Sequence, residues 1–167
     1  KDIDSVDLRF GFAFPDTYEI GMSYMGLQIL YDILNREEDI YCERIFAPAP
    51  DMEQMMRSEG RRLYSLETLS PVTDMDMVGF TLQYEMCYTN VLQILELSNI
   101  PIWTKDRTLE DPIVFGGGPC SYNPEPIADF FDMFYIGEGE TVYDALFDAY
   151  KANKAAGGSK EDFLFAA

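Results

Sequence analysis

The chain has 167 residues and a hydrophobic content of 47%, which suits one domain with a real core. Its 12 basic and 30 acidic residues leave a net charge of −18, which argues against nucleic-acid binding by this chain and against docking on an anionic membrane. With no histidine, imidazole bases and ligands are excluded, and Cys42, Cys87 and Cys120 are too scattered for a disulfide framework or a metal pair.

An odd number of separated cysteines reads as reduced thiols and hence a cytoplasmic protein. No apolar stretch reaches the roughly 18 residues of a membrane span, and the opening Lys-Asp-Ile-Asp is no signal peptide. The first residue is not Met and the end trails off through residues 152–158, so the sequence reads as a piece of a longer protein.

Leu8–Phe14 alternates and is rich in aromatics, predicting a first strand stopped by Pro15. Asp16–Gly21 reads as a long turn, and Met25–Asn35 carries apolar residues at helical spacing. Tyr41–Ala47 is the second strand, after which Asp51 is placed to cap a helix that Gly60 ends. Residues 61–76 are irregular, with a short turn at Ser65–Leu69. Met77–Tyr84 predicts the third strand and Met86–Leu97 the helix after it. Ile100–Trp103 reads as a short extended piece. The run Pro112-Ile-Val-Phe-Gly-Gly-Gly-Pro-Cys-Ser-Tyr-Asn123 predicts a buried fourth strand that breaks into glycines at its carboxyl end. A short helix through Ala128–Phe131, a fifth strand at Met133–Ile136 and a helix from about residue 141 to Ala155 complete the series.

Strands alternating with helices at this spacing predict a parallel sheet. The expected fold is α/β, a three-layer α/β/α sandwich of the flavodoxin-like type with a five-stranded sheet in the order 2-1-3-4-5. Residues 1–155 form the domain in this reading, and residues 156–167 begin a linker. In this order the turns after strands 1, 3, 4 and 5 share one edge, and the crevice between strands 1 and 3 is the expected binding site. Its rim carries Asp16, Glu19, Glu85, Glu125, Glu138 and Glu140, which disfavours a phosphate. Such carboxylates can hold Mg²⁺ or Ca²⁺, but no known ion-loop spacing is present, so no metal ligand is assigned. Tyr18, Tyr24, Tyr84, Tyr88 and Tyr122 are candidates for an aromatic pocket or half-buried fillers. No nucleophile–base pair can be assembled, so catalysis by this chain alone is not expected.

The loops resemble those of flavodoxin-like cobalamin-binding domains, which carry Asp-x-His-x-x-Gly, Ser-x-Leu and Gly-Gly after successive strands. Asp16-Thr17-Tyr18-Glu19-Ile20-Gly21 fits the first with Tyr18 in place of histidine, Thr81-Leu82 loosely fits the second, and Gly116-Gly117 fits the third. Gly117-Gly118-Pro119 and Gly137-Glu138-Gly139-Glu140 are similar to the version found at the front of radical SAM enzymes, in an uncharacterised bacterial branch. The resemblance spans about residues 8–150. It implies a cofactor crevice formed by Asp16, Tyr18, Gly21, Thr81, Leu82, Gly116, Gly117, Gly118, Gly137 and Glu138. In that family the [4Fe–4S] cluster and S-adenosylmethionine belong to a following barrel, whose Cys-x-x-x-Cys-x-x-Cys is absent here. Tyr18, a neutral phenol near pH 7, is a poor lower ligand for cobalt. The resemblance therefore implies either cobalamin bound without a protein ligand or a domain that kept the fold and lost the cofactor.

Two readings follow. One is an N-terminal accessory domain that positions cofactor or substrate over its own downstream radical SAM domain. The other is a scaffold that binds no small molecule and serves docking. A phospho-receiver is disfavoured by Gln83-Tyr84-Glu85 at the end of the third strand, and a flavodoxin by the lack of a Ser/Thr-rich loop at residues 15–21. Substrate, reaction and oligomeric state are not readable from these residues.

Overall fold

A computed structural model of the chain describes residues 1–137, 139 and 143–166. Its centre is β1 (Leu8–Phe14), buried on both faces as expected of an inner strand of a parallel sheet covered on each side. Phe10, Phe12 and Phe14 point to one face, and Gly11 and Ala13 to the other. β1 pairs in parallel with β2 (Ile40–Phe46) from Leu8↔Ile40 to Phe14↔Phe46, and on its other side with β3 (Met77–Thr81). β4 (Ile113–Gly117) and β5 (Met133–Phe134) extend the sheet, giving the order β2-β1-β3-β4-β5. This is the expected parallel order.

Helices cover both faces. On one side α3 (Pro50–Glu59) and α4 (Tyr88–Leu97) bury Met56, Val91, Ile94 and Leu95 against Ile45, Val78, Phe80 and Val114. On the other, α2 (Met25–Arg36), α5 (Tyr143–Ala155) and α6 (Lys160–Ala166) place Leu27, Leu34, Phe147 and Phe163 over Phe10, Phe12 and Phe115. Each fully buried Phe or Leu contributes about 1.5–3 kcal/mol of transfer free energy, so these two layers hold the sandwich together. Residues 156–167, expected to begin a linker, include α6, whose Phe163 stacks edge-on against Tyr150 at 5.4 Å.

Local differences from expectation have local causes. Asp16–Gly21 is not one long turn, because Tyr18–Ser23 closes as α1, with Gly21 N donating to Thr17 O at 2.9 Å. Asp51 does not cap α3: Ala49 occupies the N-cap position without a side-chain bond, Pro50 takes the first helical position, and Asp51 accepts from Met52 N inside the first turn. Gly60 ends that helix at φ 65°, as its position predicts. β3 stops at Thr81 instead of Tyr84, since Leu82 N donates to Gly117 O at 2.7 Å and the chain then turns through a 3₁₀ segment at Glu85–Cys87 into α4. β5 is two residues long, and Ile100–Trp103 forms no strand.

The amino ends of the strands are fastened by charge. Asp39, Asp76 and Asp132 each directly precede a strand and meet Lys151 at 2.7 Å, Lys154 at 2.8 Å and Lys160 at 3.4 Å. Asp76 also accepts from Arg9 N at 2.8 Å, and Asp132 from Val114 N at 2.7 Å, so each carboxylate ties its own strand to a neighbour. Arg107 Nη1 lies 3.2 Å from Asp132 Oδ2, a close charge contact without hydrogen-bond alignment. The same guanidinium donates to the carbonyls of Pro101, Ile102 and Phe130. Beside this end, buried Glu43 takes Arg9 Nη2 at 2.6 Å and the hydroxyls of Ser65 and Thr68, which pins the irregular 61–76 segment. Burial alone pushes the Glu43 carboxyl up, yet Arg9, Ser65 and Thr68 together hold it below its ordinary value. The outer edge of β2 is closed too: Asn35 pairs with both backbone groups of Cys42, and Glu67 accepts from Arg44 N.

Candidate functional site

At the opposite, carboxyl end of the strands, the register places Phe12, Gly79 and Phe115 side by side. Above them, on the α2 face, lies a cavity of about 190 Å³. Its walls come from Gly26, Leu27 and Leu30 of α2, from Thr81 and Gln83 at the end of β3, from Gly117 and Gly118 at the end of β4, and from Tyr135 after β5. Gly137 and Gly139 complete it, with Tyr24 at the entry to α2. No charged side chain lines it among the described residues.

The three adjacent glycines have three different reasons to be glycine. A methyl on Gly116 would stand 2.9 Å from the Phe134 ring and 3.0 Å from Leu82, so Gly116 serves core packing. Gly118 sits at φ 96°, where side chains are strained, and its missing Cβ leaves room for the Leu82 backbone. Gly117 has neither constraint, since the nearest atom to a methyl there is Tyr135 O at 3.9 Å. Its bareness opens the cavity. Gly79, in the middle of β3, is required by the Phe10 and Phe115 rings, which would lie 2.6 and 2.8 Å from its Cβ. Gly137, at φ 151°, also needs glycine.

The structure thus brings Thr81, Gly117, Gly118 and Gly137 together and sets the other expected residues apart. Gly116 and Leu82 belong to the core, Leu82 being fully buried. Gly21 is packed under Phe46, whose ring would stand 2.3 Å from a Cβ there. Tyr18 is 48% exposed and lies edge-on to Phe46 at 5.5 Å, lining a separate groove beside β2. Asp16 does not hold Tyr18: its Oδ1 accepts from Thr17 N at 2.8 Å and its Oδ2 from Tyr84 Oη at 3.1 Å, across the β1/β3 crevice. That bond pushes the Tyr84 phenol above its usual range. Glu138 lies outside the described residues, as does Glu140.

Of the rim carboxylates, Glu19, Glu85 and Glu125 are exposed, and none lines the cavity. Among the described residues no three acids or cysteines come together to hold a metal ion. Burial raises the Cys42 and Cys87 thiols; burial and Glu85 raise Cys120, so all three stay protonated at neutral pH. Of the five tyrosine candidates only Tyr24 lines the cavity. Tyr135, Gln83, Gly79 and Gly26 were not anticipated. A lone glycine inside a strand pattern or in a helix's first turn was the one available signal.

The family described as radical SAM proteins, N-terminal, matches residues 26–167. The chain belongs to that family. The match begins within α2, so the Asp16–Gly21 loop precedes it, while Thr81, Gly117, Gly118 and Gly137 lie inside it. An uncharacterized protein of Methanocaldococcus jannaschii is similar to this radical SAM N-terminal domain, with 28% identity over 130 residues. The alignment covers 76% of this chain and 23% of the relative, so the chain spans about a quarter of that protein's length. No solved structure matches the chain. Among the described residues of the domain, no helix is long and apolar enough to cross a membrane.

Proposed function

We propose that this radical SAM N-terminal domain is an accessory domain whose carboxyl-edge cavity holds a flat, uncharged part of a cobalamin-like cofactor, over a downstream barrel that carries the [4Fe–4S] cluster and S-adenosylmethionine. One observation carries the reading. The cavity is floored by Phe12, Gly79 and Phe115, opened by Gly117, and bordered by no charge among the described residues. Its 190 Å³ is below the roughly 300–1,000 Å³ of a site that swallows a whole drug-sized ligand. A single ring system fits that size, with the larger part of the cofactor lying over the rim.

The residues present fit such a group in part. Gly117 leaves unfilled the space a side chain would occupy, and Thr81 offers a hydroxyl at the wall. Among the described residues no lower ligand to cobalt is built, because Tyr18 is turned to the β2 side and Asp16 is engaged by Tyr84. Cobalamin bound here would therefore lack a ligand from the described residues. Thr81, Gln83, Gly117 and Gly118 hold the ring, and the cofactor, when bound, supplies the cobalt chemistry. The net charge of −18 is consistent with a protein partner in place of nucleic acid, and iron–sulfur chemistry with a cytoplasmic location. Titration with hydroxocobalamin tests the reading: a visible-spectrum change with retention on dialysis is expected. No binding at tens of micromolar contradicts it.

A second reading, docking without a cofactor, has its own observation. Ile20, Met25, Tyr84, Met86, Tyr122 and Ile136 are large, exposed and carried by segments at the carboxyl edge. In a longer polypeptide that includes the downstream domain, this reading expects slowed hydrogen exchange along the rim with no cofactor added. Unchanged exchange removes it.

A further inference from the structure

At the amino ends of the strands, two cations share one acceptor atom. Asp132 Oδ2 takes Val114 N at 2.7 Å and then faces Arg107 Nη1 at 3.2 Å and Lys160 Nζ at 3.4 Å. A carboxylate oxygen offers about two lone pairs, so three donors cannot all be served, and the two cations stand off at longer range. Arg107 Nη1 makes no hydrogen bond among the described residues, although the side chain is only 1% exposed. Lys160 reaches one further acceptor, Pro112 O, at 3.3 Å. Two nearly buried positive charges thus face one buried carboxylate, and a buried donor without a partner is costly.

Both cations line a groove of about 420 Å³ between residues 104–109 and α6. The neighbouring hydroxyl protons are already placed. Thr104 Oγ1 donates to Phe131 O at 3.0 Å, and Thr108 N and Oγ1 both donate to Asp111 Oδ2. Leu109 is exposed and Leu164 half-buried, so the groove also has an apolar wall. The exposed Glu161 lines it as well. A dianion such as phosphate would stand near both Asp132 and Glu161, so a single negative charge suits the groove better.

We propose that this groove is a binding site for a small aliphatic monocarboxylate, whose carboxylate takes the donors that Asp132 leaves unserved on Lys160 and Arg107 and whose hydrocarbon tail lies on Leu109 and Leu164. Lys160, 11% exposed and held only by long contacts, meets the carboxylate first, and Arg107 is the deeper of the two. The site lies at the end of the sheet opposite the carboxyl-edge cavity and does not depend on what that cavity holds.

Hexanoate, hexanamide, acetate and inorganic phosphate are the probes, followed by amide chemical shifts of the 167-residue chain at neutral pH. Hexanoate is expected to give saturable shifts centred on residues 104–109, 132 and 160–164. Hexanamide, of the same shape without the charge, should bind at least about tenfold more weakly, and acetate about tenfold more weakly for want of the tail. Phosphate should bind no better than acetate. Lys160→Gln should weaken hexanoate binding about tenfold. Glu161→Gln removes an exposed like charge and should strengthen it about twofold, a gain that loss of folding cannot mimic. No saturable shift with hexanoate in the unsubstituted chain overturns the inference, as do equal affinities for hexanoate and hexanamide or shifts centred elsewhere. Phosphate binding more tightly than hexanoate overturns it as well, because the groove then selects a dianion.

Discussion

At the amino ends of the strands Asp39, Asp76 and Asp132 meet Lys151, Lys154, Lys160 and Arg107, whereas at the carboxyl ends Gly117, Gly118, Thr81 and Gln83 surround a space that no charge touches among the described residues. Both ends belong to the same five-stranded sheet. The lysines come from α5 and α6, which return to the amino end, and the Asp76 and Asp132 carboxylates also accept from the backbone of a neighbouring strand. Strand alignment is thereby secured at one end by ion pairs and backbone bonds, and the other end is free to be bare. Net charge is consequently a poor guide to this site, whose lining carries no charged side chain among the described residues.

The sharpest way to break the fastened end is Arg107→Ala. Its side chain is 1% exposed, it serves three carbonyls, and Asp132 at 3% would be left buried beside Lys160 alone. A loss of about 3–5 kcal/mol is expected in denaturant unfolding. Cobalamin binding by the folded fraction should be unchanged, since the cavity is at the other end.

Acid should act on the same end next. Glu43 has a folded pKa below its ordinary 4.5, so its stabilisation is complete above that pH and is lost as pH falls through the folded value. Asp39, lowered by its bond to Lys151, adds in the same direction below 3.8. Denaturant midpoints should therefore drop below about pH 4.5, and Glu43→Gln should be less stable at neutral pH yet flatter in acid. Equal slopes for the two proteins would show that Glu43 does not carry the acid sensitivity.

The glycines sharpen the other half of the comparison. Gly116→Ala is expected to cost about 1–3 kcal/mol by overpacking against Phe134, and Gly118→Ala a similar amount through backbone strain. Gly117→Ala should change stability by only about 0.4–1 kcal/mol, in the stabilising direction, yet weaken ligand binding by narrowing the cavity. A stable variant that no longer binds separates this glycine from its two neighbours. The smallest effect is expected from Tyr84→Phe, which removes an exposed hydrogen bond and should leave the unfolding curve nearly unchanged. In a spectrophotometric titration, Asp16→Asn should let the Tyr84 phenol ionise at lower pH than in the parent chain.

Much of the frame was legible in the residues. Leu8–Phe14 and Ile113–Gly117 are short apolar runs closed by turn formers, and their bounds and order in the sheet follow from that. The glycine run marked a loop that borders the cavity. The division of labour inside it was hidden, because it depends on the Phe134 ring, the Leu82 backbone and the empty space above each Cα. Gly79 was invisible for the same reason, its cause being aromatic rings brought in from β1 and β4. Tyr18 was misplaced in the crevice because α1 was not foreseen; one helical turn suffices to send that side chain to Phe46. Gln83 belonged to no motif, and its place in the cavity wall appears only once β3 is seen to end at Thr81.

Amide chemical-shift mapping of the chain during titration with hydroxocobalamin tests the central assignment most directly. Shifts confined to residues 24–30, 79–83, 115–119 and 135–137, with Arg107, Asp132 and Lys151 unmoved, are the predicted result. Shifts centred on the groove of Tyr18 and Phe46, or spread over the amino ends of the strands, would contradict it.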